Sequence, residues 1–460
     1  MTDKMQVNLR QVAMEILYEV QKNNGLLHVV LSDALKKYQY LDKNERSFIS
    51  RLVQGTEERK IELDYIIDSF SKTPVKKQKD VIRIILEMSV YQLKYMDSVP
   101  ASAVCNEAVK LAVKKNFGTL RGFVNGVLRN IARNIDNIEY PDKSTNTDKY
   151  LSVKYSVPEE LAGYFLKKFG DNETEEMFEA FNKDKSTYIR CNTKKTDIAG
   201  LTAALEAEGV TVTNEGIDKR IDYALKISGY DYLGGLKSFR DGLFFVQDIS
   251  SMLASQGGFI KRDAYVIDVC AAPGGKSINA ALMADIGHVS SRDISGRKVS
   301  LIKENAERLG IDNITYKVWD AVKKDEESVE KADVLICDLP CSGLGIIGRK
   351  PDIKYNVTYE KIKELALLQR KILSTVWEYV KKDGILIYST CTVTPEENAE
   401  NTKHGSDANV LLVLQSELTE KNEQIANLQE LLKNQQILTL DLSRENKEKT
   451  LLLEHKKWWQ

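Results

Sequence analysis

At 460 residues, with 42% apolar and 29% charged side chains, the chain has the size and composition of two or three globular domains. No run approaches the roughly 18 apolar residues of a membrane span, and the start, MTDKMQVNLRQVAMEIL, has no charged-then-apolar export signal, so a cytoplasmic protein without membrane partners is expected. The formal charge of −1 excludes no partner, and six scattered cysteines read as free thiols rather than a disulfide framework.

From residue 8 to about 135 the apolar spacing is helical throughout. In AVCNEAVKLAVKK, Val104, Ala108, Leu111 and Ala112 share a face, and Val124, Val127, Leu128, Ile131 and Ile135 do so in FVNGVLRNIARNI. The pattern predicts an all-α bundle domain over 1–140. Residues 1–135 hold 22 Lys and Arg against 15 Asp and Glu, a net of +7, which suits either a solvated surface or an RNA footprint. The polar stretch DNIEYPDKSTNTDK reads as a linker. Over 150–250, helical VPEELAGYFLKKFG and the short β-like runs TYIRCNT and GLFFVQD predict a small α+β module.

Residues 251–401 have α/β texture. AYVIDVC, ADVLICDLP and GILIYSTCT are nearly continuous apolar runs, as in parallel strands covered on both faces. Helical patterns such as GRKVSLIKENAERLG separate them, predicting a doubly wound, Rossmann-like sheet. Over 405–460, Leu411, Leu418, Ile425 and Leu432 recur every seven residues, interleaved with Leu414 and Leu428. That spacing predicts a coiled coil, and through it an oligomer; one amphipathic helix lying on a neighbouring domain is the other reading.

The stretch Cys270-Ala271-Ala272-Pro273-Gly274-Gly275-Lys276-Ser277 ends like a triphosphate loop, yet Cys270 stands where that loop needs its first glycine. What remains is a strand, a turn with paired glycines, and a helix beginning near Lys276. Such glycines let the backbone approach a ligand closely, and a helix N-terminus offers free amides to a carboxylate. Asp293, in GHVSSRDIS, follows Gly275 by 18 residues at the end of a predicted second strand, where an acid holds ribose hydroxyls. A carboxylate and a ribose without a phosphate describe S-adenosyl-L-methionine (SAM).

DVCAAPGGKS, DLPCSGLGIIGRKPDIKY and YSTCTVTPEENAEN resemble the successive motifs of RNA cytosine carbon-5 methyltransferases. GFVNGVLRN and VPASAVCNEAVKLA make the N-terminal domain similar to the antitermination factor NusB. That combination resembles the bacterial 16S ribosomal RNA RsmB (Sun/Fmu) family. The likeness implies a SAM-dependent transferase acting on a cytosine of 16S rRNA, with the loop Cys270 to Lys276, Asp293, Asp320 (in KVWDA) and Asp338 around the cofactor.

The chemistry explains two of the cysteines. Carbon 5 of cytosine is too electron-poor to attack a methyl sulfonium unaided. A thiolate added to carbon 6 makes the ring an enamine, and a base must then remove the carbon-5 proton so that the thiolate can leave. Cys341 and Cys391 each follow a predicted strand end. By resemblance Cys391 is the nucleophile, Cys341 assists product release, and Arg349, Lys350 and Lys354 belong to a loop near the target base; Lys276 or Arg349 would make the thiol pocket electropositive. Cys105, Cys191 and Cys337 read as structural. The resemblance ends at Asn401, and no strand pattern follows 402. The sheet is therefore expected to lack its last two strands, normally an antiparallel edge pair, which leaves a second reading: a non-enzymatic RNA-binding or oligomerising remnant.

Overall fold

The computed structural model describes residues 7–23, 25–183 and 186–402, and the strand backbone of 410–412. Seven helices come first: α1 (Leu9–Asn23), α2 (Leu27–Lys37), α3 (Lys43–Glu58), α4 (Lys60–Phe70), α5 (Asp80–Tyr95), α6 (Ala101–Lys114) and α7 (Arg121–Asn134). The stripe Val124, Val127, Leu128 and Ile131 faces the bundle core, as its spacing requires. α5 is buried on several faces, from Ile82 through Ile85, Met88 and Tyr91, because the other helices pack around it. Asp42 and Glu45 close a reciprocal capping box at the start of α3.

Three further helices follow, α8 (Thr147–Tyr155), α9 (Glu159–Phe169) and α10 (Asp171–Phe181). Then comes an antiparallel sheet of β1 (Thr187–Cys191), β2 (Thr211–Thr213), β3 (Ala224–Ser228) and β4 (Phe244–Val246), in the order β2-β3-β1-β4. α11 (Ile198–Ala207) and α12 (Lys237–Arg240) lie between its strands, and α13 (Ile249–Gly257) leads out of it.

The remaining elements alternate: β5 (Tyr265–Asp268), α14 (Gly275–Met283), β6 (His288–Asp293), α15 (Gly296–Leu309), β7 (Ile314–Val318), β8 (Ala332–Asp338), α16 (Ile353–Asn356), α17 (Tyr359–Val376), β9 (Val380–Ser389), α18 (Ala399–Thr402) and β10 (Val410–Leu412). The sheet order is β10-β9-β8-β5-β6-β7 and every pair is parallel. The chain winds outward from β5 to β7 and returns to β8, so the order reverses between β5 and β8. Crevices at such a reversal, above the strand carboxyl ends, are where open α/β sheets bind ligands. Val266, Ile267, Leu335 and Ile336 are fully buried, which is why these strands read as continuous apolar runs.

One expectation is corrected here. A strand does follow residue 402: β10 pairs with β9, Val410 opposite Leu386 and Leu412 opposite Tyr388, and it runs parallel rather than antiparallel. Leu411, which the heptad spacing put in a helix, lies in this strand. Three apolar residues are too few for periodicity to separate the two conformations. The rest of the heptad segment, and the coiled coil and oligomer expected from it, lie outside the described residues. No helix among the described residues is long and apolar enough to cross a membrane.

Candidate active site

The turn between β5 and α14 supplies the floor of the crevice. Gly274 has φ 107°, a conformation that favours glycine, and no side chain caps the α14 N-terminus that it begins. Buried Asp293, at the end of β6, accepts the amides of Ala272 (3.1 Å) and Ile294 (2.8 Å) and pairs with Lys298 at 3.2 Å. The Trp319 amide donates to the Asp293 carbonyl at 3.0 Å, which sets Asp320 beside it at the next strand end. Asp320 accepts the amide of Val322, closing its own turn.

The sequence reading passed over two residues of this floor. Asp268 ends β5; it accepts the Ser277 hydroxyl at 2.6 Å, its Oδ1 is buried without a hydrogen-bond partner, and burial pushes its pKa up to about 7. Its signal was available, a carboxylate at a strand end within DVCAAPGG. Arg190 of β1 is fully buried and donates to the Gly275 carbonyl (2.9 Å) and to Gln247 (2.5 Å), so the antiparallel sheet braces the turn from behind. No local pattern in TYIRCNT announces a contact 85 residues away. Burial, then the surrounding carboxylates Asp268, Asp293 and Asp338, push the Cys270 thiol well up, so it is a wall of the site and not a nucleophile.

An uncapped helix start, a glycine at positive φ and carboxylates at three neighbouring strand ends suit an amino acid joined to a ribose. These residues could hold SAM, with the α14 amides toward its carboxylate, Asp293 toward its ribose and Asp320 toward the adenine side.

Cys341 and Cys391 lie past the carboxyl ends of β8 and β9. These strands are neighbours, so 50 residues of chain separate sulfurs only 3.1 Å apart. The Cys391 amide also donates to the Cys341 sulfur, at 3.2 Å. The Cys391 thiol is lowered below its ordinary pKa, chiefly by the hydrogen bond from Cys341, with Lys276 and Lys350 assisting against burial. Cys341 moves the other way, raised by that same bond and by burial. The two shifts run in opposite directions, and the one that favours the thiolate falls on Cys391. Lys276 bridges to Asp338 (2.8 Å) and Ser251 (3.2 Å), and Asp338 also accepts the Ser389 hydroxyl at 2.9 Å. The Lys276–Asp338 ion pair is therefore near enough to the sulfur pair to act electrostatically on Cys391.

The residues of the basic loop pack against neighbouring elements. Arg349 pairs with Asp248 and donates to the Ser186 carbonyl at 3.3 Å. Lys354 is buried, and its ammonium donates to the Glu58 carbonyl in α3, at 2.7 Å. Lys276 and Lys350 are cations that act electrostatically on Cys391. Cys105, Cys191 and Cys337 are buried, with thiols raised by burial, Cys191 to about 11.

Comparison with known proteins agrees with this architecture. Residues 7–133 match the model of the NusB family, and residues 260–446 match that of the 16S rRNA methyltransferase RsmB/F, past Asn401. The probable ribosomal RNA small subunit methyltransferase B of Bacillus subtilis is 36% identical over 395 residues, covering 85% of this chain and 87% of its own. Its counterpart in Synechocystis sp. is 33% identical over 402 residues, covering 85% and 87%. A crystal structure titled PH0851 superposes with a TM-score of 0.71 at 25% identity, covering 87% of this chain and 89% of that one. A NusB-like helical domain ahead of a Rossmann-like sheet with this crevice defines a SAM-dependent RNA methyltransferase. The chain belongs to the ribosomal RNA small subunit methyltransferase B family.

Proposed function

We propose that the chain methylates carbon 5 of a cytosine in 16S rRNA, with Cys391 as the nucleophile. The observation that carries this reading is the pair of sulfurs 3.1 Å apart with opposite proton affinities. Cys391, as its thiolate, which Lys276 favours electrostatically, adds to carbon 6 of an unstacked cytosine, so that carbon 5 gains enamine character. SAM, when bound, supplies the electrophilic methyl group. Transfer of the carbon-5 proton to water then restores the ring as the carbon–sulfur bond breaks and the electron pair returns to Cys391. Cys341, within hydrogen-bond reach, assists that departure. Lys276 and Asp338 orient one another through their ion pair, and the α6–α7 surface, with Lys110, Lys114, Arg121, Arg129 and Arg133 exposed, offers cations to RNA phosphates.

The test uses the purified full chain, a 16S rRNA transcript and methyl-labelled SAM, with the product mapped to the base and the ring atom. The expected product is 5-methylcytosine. Cys391→Ala should form no covalent protein–RNA adduct, whereas Cys341→Ala should accumulate one. Label at another base or atom, or the opposite behaviour of the two variants, overturns the assignment.

A further inference from the structure

Past the two cysteines, each strand runs into a loop, and both loops close on one buried carboxylate. Glu397 is inaccessible to solvent. Its Oε1 accepts the Ser342 amide (2.8 Å) and the Gln369 side-chain amide (3.1 Å). Its Oε2 accepts the hydroxyls of Ser342 (2.5 Å) and Thr394 (2.8 Å). Ser342 adjoins Cys341 in the chain, Thr394 lies three residues after Cys391, and Gln369 sits on α17. One side chain therefore joins three segments, and its four donors fill the acceptor capacity of a carboxylate.

The surrounding bonds make this junction stiff. Ser342 Oγ and Thr392 Oγ1 are 2.7 Å apart, and Gln369 donates to the Pro340 carbonyl at 2.9 Å. The Glu397 carbonyl accepts the Tyr388 hydroxyl at 2.5 Å. Asn398, the next residue, accepts from Thr390 (2.6 Å) and donates to the Thr392 carbonyl (2.9 Å), clasping the chain on both sides of Cys391. Without the carboxylate, two hydroxyls and two amides would be left buried with fewer acceptors; the Ser342–Thr392 contact and the Gly345 amide on the Cys391 carbonyl (3.0 Å) also join the two loops, but Glu397 makes the most bonds between them.

We propose that Glu397 is a positioning residue that sets the spacing of Cys341 and Cys391 by tying their two loops together. It touches neither sulfur and acts through Ser342 and Thr394. The consequence for catalysis rests on the cysteine roles given above; the spacing itself does not. Geometry rather than charge is what the role requires. A glutamine keeps one oxygen for the Ser342 and Gln369 amides, while its NH2 donates to hydroxyls that can turn to accept.

A trivalent arsenical tests the spacing without RNA or SAM. Phenylarsine oxide condenses with two adjacent thiols, forming two arsenic–sulfur bonds and releasing one water. Capture is measured on the full chain by intact mass, and the kcat and KM of rRNA methylation are measured beside it. Glu397→Ala should lower capture and kcat at least tenfold with KM for SAM unchanged, and Glu397→Gln should restore both to within about threefold of the parent. If alanine leaves capture and kcat near the parent values, or glutamine fails as badly as alanine, the proposal falls. Should the alanine variant not fold, the glutamine result decides. If the parent chain captures the arsenical yet makes no 5-methylcytosine, the functional reading fails while the spacing role stands.

Discussion

The ammonium of Lys354 lies 2.7 Å from the carbonyl oxygen of Glu58, the last residue of α3, and so joins the loop after Cys341 to the helical bundle. A helix C-terminus carries partial negative charge and carbonyls without intrahelical partners, and a cation there satisfies both. The neighbouring bonds repeat the link: the Tyr355 hydroxyl donates to the Glu57 carbonyl at 2.9 Å, and the Leu27 amide donates to Asp352 at 3.2 Å. The bundle is thereby part of the scaffold of the Pro-Cys loop as well as a candidate RNA surface.

Lys354→Met keeps most of the buried stem and removes the charge-assisted bond, at a cost of about 1–3 kcal/mol. Urea unfolding should show that loss. Kinetics should show a lower kcat with SAM affinity unchanged, because the α14 turn is not touched. A variant as stable and as fast as the parent would show the strut to be idle.

The opposed shifts of the two sulfurs predict their reactivity with pH. Cys391 titrates below the 9.0 of an ordinary cysteine, so its thiolate persists on the acid side of that value and is lost only as pH falls through its own, lower pKa. Its ionisation contributes to stability in the same sense, present above the unfolded-state value and lost on acidification. Iodoacetamide labelling followed by peptide mass spectrometry should therefore modify Cys391 with a midpoint below pH 9, and Cys341 only at higher pH. Lys276→Met should move the Cys391 midpoint upward. Equal labelling of both sulfurs across the range would contradict the opposed shifts.

What the sequence revealed and what it hid divide along a physical line. AYVIDVC, ADVLICDLP and GILIYSTCT became β5, β8 and β9 because a strand buried on both faces must be apolar along its length. The α14 start was visible because two glycines and a proline have few other uses between a strand and a helix. The bond from Lys354 to α3 was hidden because only the fold brings a helix end within its reach. Arg190 was silent for the same reason, its partner Gly275 beginning a helix 85 residues further along the chain. β10 was concealed by its brevity within a leucine-rich run that also fits seven-residue spacing.

Gly274→Ala should damage the cofactor turn. At φ 107° an alanine is strained, and its Cβ would stand 3.1 Å from Ile278 Cδ1 and 3.2 Å from Ile302 Cγ2. The strain is on the order of 1–3 kcal/mol. The turn relieves it by shifting the amides that begin α14. Calorimetric titration with SAM should show at least tenfold weaker binding, with the free thiols near the β8 and β9 ends still labelled as in the parent. Unchanged affinity would remove the turn from the cofactor site.

Asp268 links the same site to stability. Burial raises its pKa from 3.8 to about 7, so the folded chain holds its proton more tightly than the unfolded chain does. The resulting stability is fully present below the unfolded-state value and is lost as pH rises toward 7. At about 1.4 kcal/mol per pKa unit, the loss between pH 5 and pH 8 is at most about 3 kcal/mol from this one group. Asparagine cannot ionise, and its carbonyl oxygen can accept the Ser277 hydroxyl that Asp268 now receives. Urea unfolding of Asp268→Asn at both pH values should therefore show a smaller drop than the parent, with the variant gaining on the parent at pH 8. The same drop in both proteins would mean that Asp268 is ionised in the folded chain across this range.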